Sequence, residues 1–274
     1  MKALGFWLCL AVSSIVPVAA QTLPTAVQDD LAHYLPPGEH RWLTTGNDRY
    51  LLLEREALQP LERGVVIHIA DWGTHPLQNP IMRTLYQELP RYGWQTFSLQ
   101  PPLTPLHTDM LQQPPVDERY PTAVGDEVLA PLRAQLRARL QLVMDELVAY
   151  SGFVILIAEG RSAALLNQAL LADLASDTNL AQPVRPDALI VLNPHLPQYS
   201  LNQQVAVELA QLPLPVFDIT SADANSWALS TAEHRALQAQ RFQHRSYRTR
   251  TWPAAVAPTL ALQSVRGWLH YQGF

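Results

Sequence analysis

The sequence offers very little thiol or amine chemistry. Its 274 residues include one cysteine, Cys9, and one lysine, Lys2, and both lie within the first ten residues. Beyond residue 20 the chain therefore has no cysteine for a disulfide, a thiol nucleophile or a thiolate metal site. The lack of lysine there excludes Schiff-base chemistry and P-loop nucleotide hydrolysis. No GxGxxG motif follows a predicted strand, and we expect no cofactor.

The composition is that of a globular chain with a small excess of negative charge. Hydrophobic residues make up 48% of the sequence, and the formal net charge is -5. A chain of this length fits one large domain, whose core can fold without a metal or a disulfide. The mild acidity gives no reason to expect a nucleic-acid partner, since such partners favour a basic face.

The first twenty residues have the pattern of a secretory signal. Lys2 supplies a short positive region, residues 3–16 are mostly apolar, and Val18, Ala19 and Ala20 are the small residues that precede a cleavage site. An uncleaved membrane anchor is the alternative, but the apolar run is shorter than the ~20 residues of a span. We therefore expect cleavage after Ala20, an exported protein without a transmembrane span, and one mature domain over residues 21–274.

Strand and helix patterns alternate along the rest of the chain. A hairpin is predicted around residues 42–53, followed by about five central strands, and apolar helical faces separate the strands. Such alternation is typical of a three-layer α/β fold with a mostly parallel sheet. A Pro-rich loop over residues 101–124 interrupts the series and is long enough to be functional. The hairpin, the βα series and the closing helix follow the order of an α/β hydrolase, with a flavodoxin-like or Rossmann sheet as the rival.

The turn that carries the nucleophile in an α/β hydrolase reads G-x-S-x-G, with small residues on both sides. Residues 157–164 are the candidate, and two registers fit them. Gly160 stands at the nucleophile position if Ala158 and Ser162 are the flanks, whereas Ser162 stands there if Gly160 and Ala164 are the flanks. The second register extends a buried strand through Glu159, and a buried carboxylate without a partner is costly. We therefore favour Gly160 at the tip.

The acid and the base of a triad follow the nucleophile in the order Ser, Asp/Glu, His. Asp218 and Asp223 lie at and just after a predicted strand, which suits the acid. The base is expected after the last strand, where only His270 remains, within the closing helix and more typical of a surface residue. His244 precedes that strand, and is therefore expected at the opposite end of the sheet. His195 follows an earlier strand and is the remaining candidate base.

The loop after the first central strand contains Asp71, Trp72 and Gly73, in the place that supplies an oxyanion-hole amide in hydrolases. We expect Gly73 and the helix opening near Arg161 to present backbone N–H groups that could hold a small anion, with Arg161 as a partner. Asp71 and His75 with His68 form only a weak pattern for a metal site. We predict none.

Several segments together resemble a known family. Residues 64–68 with 71–73, residues 89–101 and residues 265–269 are similar to the domain-of-unknown-function 3530 family, exported proteins of Gram-negative bacteria placed among the α/β hydrolases. The resemblance implies that fold and a periplasmic location. The family's elbow resembles G-H-G-T-G-A, with glycine where hydrolases carry serine. In this sequence that motif corresponds to Ala158, Glu159, Gly160, Arg161, Ser162 and Ala163, which lack its first glycine and its histidine.

Two functional hypotheses follow. The first is a catalytically degenerate α/β-hydrolase-fold protein, a pseudoenzyme that binds a small ligand or an envelope protein at its elbow and pocket. The second is a serine esterase that uses Ser162 with an aspartate, Asp218 or Asp223, and the unusually placed His195. The sequence names no ligand, pathway or oligomeric state.

The leader generates the first prediction. Because Val18, Ala19 and Ala20 form a cleavage site, the mature chain should begin at Gln21. The measurement is the intact mass of protein purified from the native cell envelope. A mass that still includes Met1 or Lys2 would contradict cleavage.

Overall fold

The computed structural model describes residues 23–46, 48–102, 126–147, 150, 152–175 and 185–274. Their strands form one eight-stranded sheet. The strands are β1 (His40–Thr45), β2 (Asp48–Arg55), β3 (Gly64–Ile69), β4 (Trp94–Leu99), β5 (Phe153–Glu159), β6 (Ala188–Leu192), β7 (Val216–Ser221) and β8 (Tyr247–Trp252). The helices are α1 (Leu23–Tyr34), α2 (Pro80–Glu88), α3 (Asp126–Leu147), α4 (Gly160–Ala175), α5 (Tyr199–Gln211), α6 (Ser226–Arg241) and α7 (Pro258–Gln272).

The strand order is β1-β2-β4-β3-β5-β6-β7-β8. The β1–β2 and β2–β4 pairs are antiparallel, and all pairs from β4 through β3 to β8 are parallel. The predicted mostly parallel sheet with an N-terminal hairpin is therefore confirmed, with six parallel strands rather than about five. Their carboxyl ends share one edge of the sheet, which is where open α/β sheets bind ligands.

Both faces of the central parallel strands are buried, which explains their continuous apolar sequences, whereas the edge strand β8 is mostly exposed and polar. Every residue of β3 is buried. Val65 and Ile67 belong to the core cluster on the face that α3, α4 and α5 cover. Val66 lies on the other face, in the cluster that α2 and α7 complete with Met82 and Trp268. The sheet is thus packed between two helical layers, and the loops that follow its strands lie at its carboxyl edge.

Some element boundaries differ from the sequence prediction. Helical patterns in the sequence predict helices over residues 162–174 and 205–212. In the structure these helices begin earlier, at Gly160 and at Tyr199. The signal segment 1–20 and nearly all of the Pro-rich segment 101–124 lie outside the described residues. Over the part of the chain that is described, no helix combines the length and apolar character needed to cross a membrane.

Candidate functional site

A cleft of about 570 Å³ opens at the carboxyl edge of the parallel sheet. The ends of five strands, or the loops that follow them, contribute to its lining. These contributions are Asp71 after β3, Glu159 at the end of β5, Asn193 after β6, Asp223 after β7 and Ala255 after β8. The volume is within the range of small-molecule sites.

Gly160 occupies the sharp turn between β5 and α4. Its φ angle is +56°, in the left-handed region that L side chains rarely adopt. A Cβ atom added to Gly160 would lie 2.4 Å from both Cγ and Oδ1 of Asp71. The main-chain carbonyl of Gly160 accepts a hydrogen bond from the N–H of His195, at 3.4 Å. Backbone conformation and lack of space therefore both require glycine at this position.

The Asp71 carboxylate lies against the start of α4. Its Oδ1 accepts hydrogen bonds from the backbone N–H groups of Arg161 and Trp72, each at 2.7 Å. The guanidinium of Arg161 lies 3.4 Å from the same oxygen through Nε, and its Nη2 donates to the carbonyl of Trp72. The sequence predicts that amides of Gly73 and of the helix opening near Arg161 face an outside anion. In the structure the N–H of Arg161 already donates to Asp71, as does the N–H of Trp72. The role expected of Gly73 stays a prediction.

Glu159 precedes the elbow and is the last residue of β5. The sequence argument treated a strand that runs through Glu159 as too costly, but β5 does include it. The residue is only partly buried, and its Oε1 accepts a hydrogen bond from Nδ2 of Asn79. Burial, with a smaller contribution from the negative charge of Asp71, raises the pKa of Glu159 to about 7. A proton or the amide of Asn79 can thus offset the cost of burying this carboxyl group.

Ser162 lies in the first turn of α4 and faces the interior. Its side chain is fully buried, and among the described residues its Oγ has no hydrogen-bond partner. The tip of the turn is Gly160, two residues earlier. The structure therefore does not bring Ser162 to the cleft.

His195 approaches the elbow but is surrounded by its own partners. It is 6% exposed, its Nδ1 lies 2.9 Å from the carbonyl oxygen of Asn193, and its Nε2 lies 3.0 Å from Nδ2 of Asn225. These contacts fit a neutral ring whose Nδ1–H donates and whose Nε2 accepts. Burial lowers the pKa of His195, while the charge of Asp71 acts in the opposite direction.

The two candidate acids have different surroundings. Asp218 is 2% exposed, and its Oδ2 accepts from Nε of Arg235 and from the hydroxyl of Tyr247, each at 2.8 Å. It is thus committed to a buried ion pair. Asp223 lines the cleft, and its Oδ2 accepts from the N–H of Ala255 at 3.0 Å. Ala255 belongs to the loop after β8, where a triad would place its histidine.

None of the other histidines that the structure describes lines the cleft. His270 is exposed on α7, and His244 precedes β8, as the sequence predicted. His68 is buried on β3 beside Tyr86, both its ring nitrogens have no hydrogen-bond partner among the described residues, and burial lowers its pKa to about 3. Within the described ranges, no three His, Cys, Asp or Glu side chains gather closely enough to hold a metal ion.

Sequence reasoning missed Asn79 and Ala255. Asn79 caps α2, since its Oδ1 accepts a hydrogen bond from the N–H of Ile81 at 2.8 Å. Its Nδ2 also donates a hydrogen bond to the carboxyl group of Glu159. An asparagine before a proline that opens a helix is a readable cap signal and could have located it. Ala255 has a φ angle of +52°, and nothing in its sequence indicates that conformation.

Comparison with known proteins agrees with this architecture. The model of a family described as "Protein of unknown function (DUF3530)" matches residues 11–271. None of the curated proteins compared with this chain matches it. Similar solved structures include the apo form of Thermogutta terrifontis esterase 2, at 12% identity and a TM-score of 0.62, covering 88% of this chain and 97% of that one.

Two further solved structures are similar. Est1E from Butyrivibrio proteoclasticus has 9% identity and a TM-score of 0.56, over 85% of this chain and 98% of that one. A lipase/esterase from Lactobacillus plantarum has 14% identity and a TM-score of 0.52, over 86% and 98%. At such low identities the likeness shows the fold alone, which is that of an α/β hydrolase.

The elbow geometry predicts the effect of adding a single methyl group. Gly160→Ala should lower the free energy of unfolding by more than about 1 kcal/mol, because it combines a left-handed backbone with a clash against Asp71. The matched control is Gly267→Ala on the exposed part of α7, where a Cβ meets nothing within 4 Å. That change should raise stability by about 0.5–1 kcal/mol. Urea unfolding compares the two, and equal effects would contradict the assignment of Gly160 to the strained tip.

Glu159 predicts a measurable dependence of stability on pH. Its folded-state pKa of about 7 lies above the ordinary value of 4.5, so the folded protein binds this proton more tightly than the unfolded chain does. The stability that the protonated Glu159 adds is fully present below pH 4.5 and is lost as the pH rises through about 7. The free energy of unfolding should be measured against pH for wild type and for Glu159→Gln. Subtracting one curve from the other cancels the contributions of other groups, such as Glu208, whose pKa is also raised by burial. Parallel stability curves between pH 4.5 and 8 would contradict the raised pKa.

Proposed function

We propose a function for this chain from the premise that it belongs to the DUF3530 family: it is an exported, periplasmic α/β-hydrolase-fold protein that binds a ligand or partner at its cleft without hydrolysing it. The export part of the proposal rests on the signal-like segment that ends at Ala20. The binding part rests on the cleft at the carboxyl edge of the sheet.

The single observation that carries the proposal is Gly160 at the tip of the elbow. Acyl transfer by this fold needs a nucleophile at that position and an oxyanion hole of backbone amides beside it. Gly160 has no side chain, and the amides of Arg161 and Trp72 already donate to Asp71. An ester carbonyl in the cleft would find no attacking side chain at the tip, and the amides of Arg161 and Trp72 beside it are already engaged.

The base is a second obstacle to hydrolysis. A general base needs a nitrogen within about 2.6–3.2 Å of the proton that it removes. In His195 both ring nitrogens face Asn193 and Asn225, and the ring is buried. Ser162 is buried as well, so the pair that an alternative hydrolase would use is not presented to the cleft.

The walls of the cleft limit the chemistry of its ligand. Ile81, Leu192 and Val256 supply apolar surface, and the carboxyl groups of Glu159 and Asp223 supply acceptors. A ligand with a net negative charge would be repelled by these carboxyl groups when they are ionised. A small neutral or positively charged molecule, or such a side chain of a partner, fits this lining better.

The test of this proposal measures both turnover and binding. Purified protein should not react with a fluorophosphonate probe and should show no short-chain ester hydrolysis that Ser162→Ala abolishes. Organophosphates are an apt choice of probe, because a solved structure of Thermogutta terrifontis esterase 2 is described as phosphorylated by paraoxon. Probe labelling or ester turnover that is lost in both Ser162→Ala and His195→Ala, but is kept in His270→Ala, would overturn the proposal.

Binding is tested by a thermal-shift screen of small neutral and cationic compounds. Any stabilising compound should lose its effect in Ala224→Phe, which narrows the cleft, and keep it in Ala254→Phe, an exposed change outside the lining. Equal responses of the two variants would place the ligand elsewhere.

A further inference from the structure

We infer that the elbow keeps an oxyanion-binding position and that the carboxylate of Asp71 fills it from within the chain. The inference deepens the proposed function and rests on it, since it names the class of molecule that the amides of the elbow would otherwise hold. The class of molecule that suits this position is a small carboxylate or a comparable oxyanion, and Asp71 excludes it.

The two donors are those that a hydrolase would aim at its substrate. In this fold the oxyanion hole combines the N–H of the residue after the nucleophile with an N–H from the loop after β3. Arg161 follows Gly160 at the tip, and Trp72 lies in the loop after β3. Their nitrogen atoms are each 2.7 Å from one oxygen, Oδ1 of Asp71, which is the distance expected for oxyanion donors.

The carboxylate also occupies the space beside the tip. An ideal Cβ on Gly160 would lie 2.4 Å from Cγ and 2.8 Å from Oδ2 of Asp71. A nucleophile at position 160 and the Asp71 side chain therefore exclude each other. Asp71 therefore has two effects: it accepts the hydrogen bonds of both N–H donors, and it occupies the space beside Gly160.

The loop after β3 holds the Asp71 side chain in this position. The carbonyl of Asp71 accepts from the N–H of Thr74 at 3.0 Å and from its hydroxyl at 2.8 Å, which closes a tight turn. Arg161 adds a second connection through the carbonyl of Trp72. A carboxylate tethered this closely acts at high effective concentration, so a free anion at ordinary concentrations does not displace it.

The test removes the internal carboxylate and supplies an external one. Asp71→Gly should lower the melting temperature, because two backbone N–H groups lose their acceptor. Sodium acetate should then raise that temperature in a saturable manner, whereas sodium chloride at the same ionic strength should not. Wild type should not respond to acetate. Asp71→Asn is the matched control, since its amide oxygen can still accept from both N–H groups, and it should not respond either.

The results distinguish the inference from a merely structural role of Asp71. An acetate response of equal size in wild type, or none in Asp71→Gly, would overturn it. If Asp71→Gly does not fold without an anion, its refolding yield is compared in acetate and in chloride. A yield that does not depend on acetate would also overturn the inference.

A second measurement uses steric coupling instead of an anion. Gly160→Ser should lower the melting temperature by less in the Asp71→Gly background than in wild type or Asp71→Asn, where the clash persists. Equal losses in all three backgrounds would show that positions 71 and 160 do not share one space. Because none of these readouts is ester hydrolysis or cleft binding, they can fail independently of the proposed function.

Discussion

The contact between the Asp71 carboxylate and the backbone at the start of α4 is the constraint on which the site depends. It follows directly from the sheet. Strands β3 and β5 are parallel neighbours, with Ile69 paired to Ala158, so the residues two positions further on, Asp71 and Gly160, meet at the same edge. One of the two can carry a side chain into that space. Asp71 does, which leaves glycine as the residue that fits at position 160.

The charges around the elbow follow from this contact. Arg161 is turned towards Asp71 and the carbonyl of Trp72, so its guanidinium does not line the cleft. Glu159 accepts a hydrogen bond from Asn79, and its pKa is raised mainly by burial and to a smaller extent by the negative charge of Asp71. His195 remains neutral between two asparagines, because burial lowers its pKa. The negative charge of Asp71 is thus balanced by the guanidinium of Arg161 and by two backbone N–H groups.

The sequence predicted the fold better than the site, for physical reasons. Continuous apolar strands such as β3 and β5 can only be buried on both faces, which indicates a parallel sheet. Small residues around Gly160 likewise identified the turn. The role of Asp71 was not readable, because its partner Arg161 is 90 positions away and the contact depends on strand order. The positive φ of Ala255 and the asparagines around His195 also depend on tertiary packing, and no local pattern encodes them.

The contact between Asp71 and the start of α4 also affects the stability of the folded state. The first backbone N–H groups of a helix have no partner within the helix, and a hydrolase leaves those at its elbow unoccupied until a substrate arrives. Such unsatisfied donors, together with a strained turn, lower the stability of the folded enzyme, and enzymes retain them because catalysis requires them. In this chain Asp71 accepts a hydrogen bond from the N–H of Arg161, and glycine relieves the steric part of the strain at position 160. Under the proposed function, amides that would serve the transition state in an esterase stabilise the folded state here, and ligand binding falls to the neighbouring cleft.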